Sequence, residues 1–244
     1  MTRILTAHQP LYIPWIGFFH KVICSDIFCL LDGVQFEPSS FMNRNKIKIK
    51  NGELLLTVPI LMKGYLTKKT YEIQIDEKQK WQKKHWESIK LAYVKAPYFE
   101  SYKNDFEEIY KKNWEKLRDL NEYIIKYFLK EFKIDVDFVR CSDLGITGNK
   151  SLRLVNICKK MDADMFIFGS GGKNYADVNL FKTEKINVYF QNYNHPIYPQ
   201  LYGNFIPNLS IIDLLFNCGE NSKSIIEKGN INKNDLKQII IVKS

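Results

Sequence analysis

His8 and Gln9 stand where a short apolar run, Arg3-Ile4-Leu5-Thr6-Ala7, gives way to a segment in which Pro10 and Pro14 forbid regular helix until about Trp15. An imidazole at the carboxyl end of a strand in an open α/β sheet stands where ligands bind, and near neutrality it can take a proton from an amine or hydroxyl nucleophile. A histidine that only staples the loop is the competing reading. Asp32 closes a second apolar run, Ile27 to Leu31, and Gly169-Ser170-Gly171-Gly172 closes a third that begins at Asp164. Parallel topology would gather all three on one edge of the sheet. His8 would then be the base, and Asp32 would fix its tautomer or hold a sugar hydroxyl. Ser170, with the backbone amides around Gly171, would face a developing oxyanion. A turn cap before Gly33 is the alternative for Asp32.

Asn43-Arg44-Asn45-Lys46 combines a forked guanidinium, two amides and an ammonium, a set suited to phosphate or carboxylate. Asn43, Arg44 and Lys46 are therefore candidates for holding a diphosphate, with a solvated hairpin edge as the other account. Lys46, Lys48 and Lys50 alternate as exposed strand residues would, and of these only Lys46 is taken as a ligand group. Gln9 would help position the nucleophile. Tyr12 and Trp15 offer rings that could stack on a sugar or base, and Tyr175 could close the pocket or act as an acid; each ring could equally be packing.

Other chemistries find less support. No G-x-S-x-G elbow is present, the glycine-rich segment at 169–172 is neither a Walker loop nor a dinucleotide fingerprint, and Cys141 and Cys218 lack a recognisable activating partner. The 4 histidines, His8, His20, His85 and His195, are too far apart for a helix-borne metal pair, so no metal is expected.

The elements that must position these groups follow from periodicity. Trp15 to Cys24 reads as a short amphipathic helix between two buried strands, a β-α-β start. Asn43 to Lys50 and Glu53 to Leu61 flank the Asn51-Gly52 turn signal of a hairpin, and Tyr71 to Ile75 offers a further short strand. Lys78 to Phe132 is helical, with a break at Ala96-Pro97. Val136 to Cys141, Asp164 to Phe168 and Ile186 to Gln191 are strands, with Ser151 to Met161 a helix. The expected fold is α/β: a mostly parallel, Rossmann-like sheet with helices on both faces, an antiparallel hairpin flap at about 40–76 and a helical insertion at about 78–132, all within one domain spanning 1–244. The tail from Glu220 reads as peripheral.

With 244 residues, 45% of them hydrophobic, the chain can bury a full core. Its 5 cysteines form no C-x-x-C pair, so reduced, mostly buried thiols are expected. The N-terminus lacks a secretory signal pattern and no run approaches the length of a membrane span, which points to a cytoplasmic protein. The formal charge of +9 favours acidic partners, but it is spread along the chain. The densest run, Lys78 to Trp86, mixes cations with aromatics that could stack bases, yet a solvated helix face explains it at least as well, so nucleic acid is the weaker reading.

His8-Gln9-Pro10, Tyr12, Pro14-Trp15, Gly17-Phe18-Phe19 and Lys21 resemble the opening of the WbqC-like proteins, met in bacterial gene clusters for O-antigen and other surface polysaccharides. The resemblance continues through Asp32 to Phe36, Asn43 to Ile47, Leu56 to Pro59, Ala92 to Phe99, Gly169 to Tyr175 and Phe205 to Asn217, nearly the whole chain. It implies a role in making an unusual surface sugar. Joined to the site chemistry, it suggests a transferase that places an acyl or aminoacyl group, glycyl-like, on the amino group of a nucleotide-linked deoxyamino-sugar. The donor would be a thioester of coenzyme A or of an acidic acyl-carrier-type protein, with no bound cofactor. The alternatives are a nucleotidyltransferase-like enzyme, weakened because His8-Gln9-Pro10 lacks the second histidine of a HxGH pattern, and a non-catalytic protein that binds sugar nucleotide or assists assembly.

Overall fold

The computed structural model describes residues 2–243, with side chains described for 2–239. Continuous apolar runs are the signature of strands buried on both faces, and here they form β1 (Ile4–His8), β2 (Ile27–Leu30), β5 (Asp137–Arg140), β6 (Met165–Phe168) and β7 (Asn187–Phe190). All pair in parallel in the order β5-β2-β1-β6-β7. The remaining strands, β3 (Arg44–Ile49) and β4 (Gly52–Thr57), make the separate antiparallel hairpin, turning at Asn51-Gly52 with Gly52 at φ 116°. The helices are α1 (Ile16–Ile23), α2 (Trp81–Tyr93), α3 (Phe99–Lys111), α4 (Leu117–Glu131), α5 (Lys150–Lys160), α6 (Val178–Thr183), α7 (Ile211–Cys218), α8 (Ser222–Glu227) and α9 (Lys233–Lys243).

Successive side chains of each strand serve opposite layers. Phe28 and Leu30 pack with Phe18 and Phe19 of α1, with α2 to α4 and with α7. Leu5, Ala7, Ile27 and Cys29 pack on the other face with Leu154, Val155 and Cys158 of α5 and Phe181 of α6. From β1 the chain runs outward through β2 to β5, then crosses by α5 to β6 on the other side of β1. The strand order thus reverses between β1 and β6.

The hairpin is fastened down. Asn45 donates from Nδ2 to the carbonyls of Tyr12 (3.3 Å) and Ile13 (2.7 Å), and the Lys48 amide donates to the Tyr93 hydroxyl (3.0 Å). Lys48 corrects the expected alternation of exposed lysines: it is 2% exposed, and its ammonium reaches Gln200 Oε1 (3.0 Å) and the Asn204 carbonyl (2.6 Å) in the segment before α7. Nearby, Asp213 accepts from the hydroxyls of Tyr93 and Tyr198, both at 2.9 Å. A buried cation and a buried carboxylate here share one hydrogen-bonded network, the condition under which such charges are tolerated in a core.

Three expectations fail for identifiable reasons. Tyr71 to Ile75 is not a strand but a 3-10 turn (Thr70–Glu72) followed by isolated bridges, Ile60 to Ile75 and Gln74 to Lys116, so it finds no extended partner. The helical region breaks at Lys112 to Lys116 as well as at Pro97, because Trp114 must turn inward to donate to the Ile109 carbonyl (2.8 Å). The tail is not peripheral: Leu236 is fully buried against Ile4, Cys24, Met165 and Ile167, and Lys233 and Lys237 pair with Asp26.

Candidate active site

The site is built where β1 and β6 part. Their ladder ends at Thr6–Ile167, and Thr6 Oγ1 donates to the Ile167 carbonyl at 2.9 Å. The next rung would carry the Gly169 amide to the Ala7 carbonyl, since Phe168 already faces β7 through its carbonyl, which accepts from Gln191 (2.9 Å). That rung is absent among the described residues. Lys21 of α1 donates to the Ala7 carbonyl instead, at 3.2 Å. Beyond the split stand His8 and Gln9 on one side and the turn Ser170–Asn174 on the other.

His8 ends β1 with its ring edge-on to Phe18, centroids 5.3 Å apart. Its Nδ1 lies 3.1 Å from the Gln9 carbonyl, an acceptor that assigns the proton to Nδ1 and leaves the lone pair on Nε2. Burial, with the Lys21 ammonium beside it, pulls the ring from its ordinary 6.5 down to about 3, against a weaker upward pull from the Gln9 carbonyl. The imidazole is thus neutral throughout the physiological range. Lys21 is itself only 4% exposed, and burial brings its ammonium down to about 7.

The rim is built by Gln9, Glu37 and Tyr175. Gln9 Nε2 donates to Glu37 Oε1 at 3.3 Å, and Tyr175, 58% exposed, lies edge-on to Phe168 (6.1 Å) with its hydroxyl pushed above the ordinary range by burial and by Glu37. Ser170 and Gly171 open the turn at the end of β6. Gly172 is held by space: a Cβ there would sit 2.6 Å from that of Phe168.

Below this rim the proline segment carries backbone strain at Ile13, a β-branched residue at φ 44°, a conformation costing roughly 1–3 kcal/mol that persists only where the surroundings over-determine it. The surroundings are Asn45, with its hold on the Tyr12 and Ile13 carbonyls, and Asn121, which donates to Pro10 (3.2 Å) and Met42 (2.7 Å) carbonyls.

Other candidates are drawn into structure. Asp32 is fully buried and does not hold His8; its carboxylate accepts from the Ser142 amide (2.9 Å), the Ser142 hydroxyl (2.7 Å) and Arg118 (3.1 Å). Tyr12 is a core residue whose hydroxyl meets His85 Nδ1 (2.8 Å) and the Tyr110 hydroxyl (2.6 Å), so its ring cannot stack on a ligand. Asn43 is buried with Nδ2 on the Val58 carbonyl (2.9 Å), Arg44 reaches back to the Ser39 carbonyl, and Lys46 pairs with Glu53. Those three groups are engaged by the protein itself. Trp15 is 37% exposed at the start of α1 and bridged to Ser210. Cys141 and Cys218 are buried, Cys218 pushed up to about 11 by burial.

Sequence reasoning missed Lys21 and Glu37 as site residues. For Lys21 a signal existed: a helix that is apolar nearly all round must bury whatever polar groups it carries. Glu37 left none, since its place depends on how the loop after β2 folds over the strand ends.

The His85 cluster sets an acid limit on the fold. Burial among Tyr12, Trp81 and Tyr110 lowers the His85 pKa from 6.5 to about 4, so the unfolded chain takes up this proton first as pH falls. Its contribution to stability is intact above pH 6.5 and is lost toward pH 4, at about 1.4 kcal/mol per pH unit. Urea midpoints taken between pH 7 and pH 4.5 are expected to fall, and His85→Gln is expected to flatten that slope by about 1.4 kcal/mol per unit. An unchanged slope would contradict this assignment.

Two surface concavities, of about 360 Å³ beside Glu122, Lys126 and Arg140 and about 310 Å³ beside Lys133, Lys223 and Glu227, do not touch His8. No group of His, Cys, Asp and Glu suited to a metal ion occurs among the described residues. No described helix is long and apolar enough to cross a membrane.

Fold and site define a doubly wound α/β protein whose polar strand ends gather at the point where strand order reverses, the place where such sheets bind ligands. The chain belongs to the WbqC-like protein family, whose model matches residues 9–225. It is 32% identical over 213 residues to a protein of Mycobacterium tuberculosis (strain ATCC 25618 / H37Rv) described as uncharacterized protein Rv1507c, a match covering 86% of this chain and 92% of the relative. No solved structure matches it.

Proposed function

We propose that this chain is a cytoplasmic transferase of surface-polysaccharide sugar synthesis that joins an acyl or aminoacyl group, glycyl-like, to the amino group of a nucleotide-linked deoxyamino-sugar. The observation that carries the reading is the neutral His8, tautomer set by the Gln9 carbonyl, facing the parted strand ends from β1 while the turn at Ser170 faces them from β6. In this mechanism the sugar nitrogen attacks the thioester carbonyl, the C–N bond forms, and the C–S bond breaks. The proton leaving nitrogen passes to His8 Nε2 and from there to the departing thiolate. Gln9 and Glu37 orient the sugar at the rim, and Trp15 remains available to stack on it. The carbonyl oxygen under attack lies toward the amides at 169–171. A carrier protein with an acidic surface suits the chain's charge of +9.

One observation favours the non-catalytic reading: a ring held at about 3 is a weak base, as suits a group that only holds ligand. Mass spectrometry separates the two. Candidate amino-sugar nucleotides incubated with coenzyme A and carrier-protein thioesters are expected to gain the mass of the acyl group. Tight sugar-nucleotide binding with no mass gain across the panel would leave only the holding role.

A further inference from the structure

Capping the Ala7 carbonyl accounts for one N–H of Lys21 and not for its buried charge. Its ammonium is nine-tenths and more buried, yet one N–H finds an acceptor, the Ala7 carbonyl at 3.2 Å, and no carboxylate pairs with it among the described residues. A buried charge left with so little compensation is unfavourable unless something else neutralises it. Lys48, the other buried lysine described, shows the contrast, with two oxygen partners and Asp213 close by.

Across the split lies a second set of donors without a protein acceptor, Gly169 half-buried and Ser170 and Gly171 open to solvent. The backbone amides of Gly169, Ser170 and Gly171 have no acceptor among the described residues, and the first that is satisfied is Gly172, bonded to the Gly169 carbonyl at 2.9 Å. Ladder alternation points the Gly169 amide toward β1, at the Ala7 carbonyl that Lys21 occupies. The Lys21 ammonium and the Gly169 amide are therefore directed at one carbonyl, with the exposed amides of Ser170 and Gly171 following at the end of β6. Glycine at 169 and 171, where nothing lies within 4 Å of an added Cβ, leaves the backbone open on that side.

We infer that Lys21 and the Gly169, Ser170 and Gly171 amides form one receptor for a negatively charged oxygen, with Lys21 supplying the charge. In the acyl-transfer reading, on which only this assignment of the ligand rests, the oxygen is that of the tetrahedral intermediate, and Lys21 is a catalytic residue. The receptor is expected to take the oxygens of a small carboxylate or phosphate in the absence of any reaction. A filled receptor also offsets the Lys21 charge that depresses His8, so the base strengthens when the site is occupied.

The titratable neighbours of α1 are His8 on β1, His20 and Cys24 on the helix, Tyr193 after β7 and Glu227 on α8. Of these, His8 is the one in electrostatic contact with Lys21, and it stays neutral above pH 5. Anion affinity is therefore expected to fall as pH rises past about 7, where the ammonium loses its proton, approaching tenfold per pH unit.

The test uses Lys21→Met in the full chain, titrated with sodium acetate and with inorganic phosphate, by calorimetry and by thermal shift. Wild type is expected to bind at least one anion and to lose affinity as pH rises. Lys21→Met is expected to bind at least about tenfold more weakly while melting no lower than wild type without anion, because methionine removes an uncompensated buried charge. Equal anion binding by the two proteins, no binding by wild type, or a lowered melting temperature in Lys21→Met without anion would overturn the receptor and leave Lys21 a staple for Ala7. If acetate binding depends on Lys21 while the mass-spectrometric assay finds no amide, the receptor stands and the acyl-transfer reading falls.

Discussion

Asp32→Ala is expected to destabilise the fold by about 3–5 kcal/mol, the range for removing one partner of a buried charge pair. The carboxylate is fully buried at the end of β2 and bridges three donors, the Ser142 amide, the Ser142 hydroxyl and Arg118, thereby tying the edge strand β5 and helix α4 to the sheet. Alanine leaves a buried amide and a guanidinium without an acceptor. Arg118 retains Asp119 at 2.7 Å, which limits the loss but does not restore the link to β2. Against a total of about 5–15 kcal/mol, such a cost would shift the urea midpoint by roughly a fifth of its value or more. Asp32→Asn keeps the shape but turns a donor toward donors, so it too is expected to lose stability. A melting profile equal to wild type, joined to lost sugar-nucleotide binding, would return Asp32 to the site as a substrate-holding carboxylate.

The fate of Asp32 shows how far residues alone could carry the site. Strand ends were legible because parallel strands buried on both faces are continuous apolar runs bounded by polar residues, and β1, β2 and β6 end within one residue of where those runs stop. Which strands stand side by side was not legible. The sheet order puts β2 and β5 together on one side of β1, so Asp32 finds Ser142 and Arg118, while β6 on the other side brings the Ser170 turn toward His8. Amide and charged side chains were read by what they can bind, yet Asn43 and Arg44 bind the chain's own carbonyls, since a hairpin tucked against a proline-rich loop leaves backbone groups that something must satisfy. Polar residues on apolar helices were the stronger signal: Lys21 within α1 and Asp213 within α7 are buried and hydrogen-bonded, as is Lys48, which the largely polar β3 did not announce. Two of them are neutralised by neighbours, and the third is not.

His8→Ala is expected to remove turnover by a hundredfold or more while leaving the fold in place, the usual size of positioned acid–base assistance. The ring's packing is modest: one edge contact with Phe18 and a hydrogen bond to the adjacent Gln9 carbonyl, in a residue that keeps some exposure at the strand end. Truncation should therefore cost stability on the order of 1 kcal/mol, far less than Asp32→Ala. His8→Gln sharpens the measurement. Glutamine preserves polarity at the strand end and can still hold a ligand, but it cannot carry a proton between nitrogen and thiolate. Amide formation lost in both variants with sugar-nucleotide affinity retained would assign His8 to proton transfer. Turnover within about twofold of wild type in a folded His8→Ala protein would reduce the ring to a loop staple.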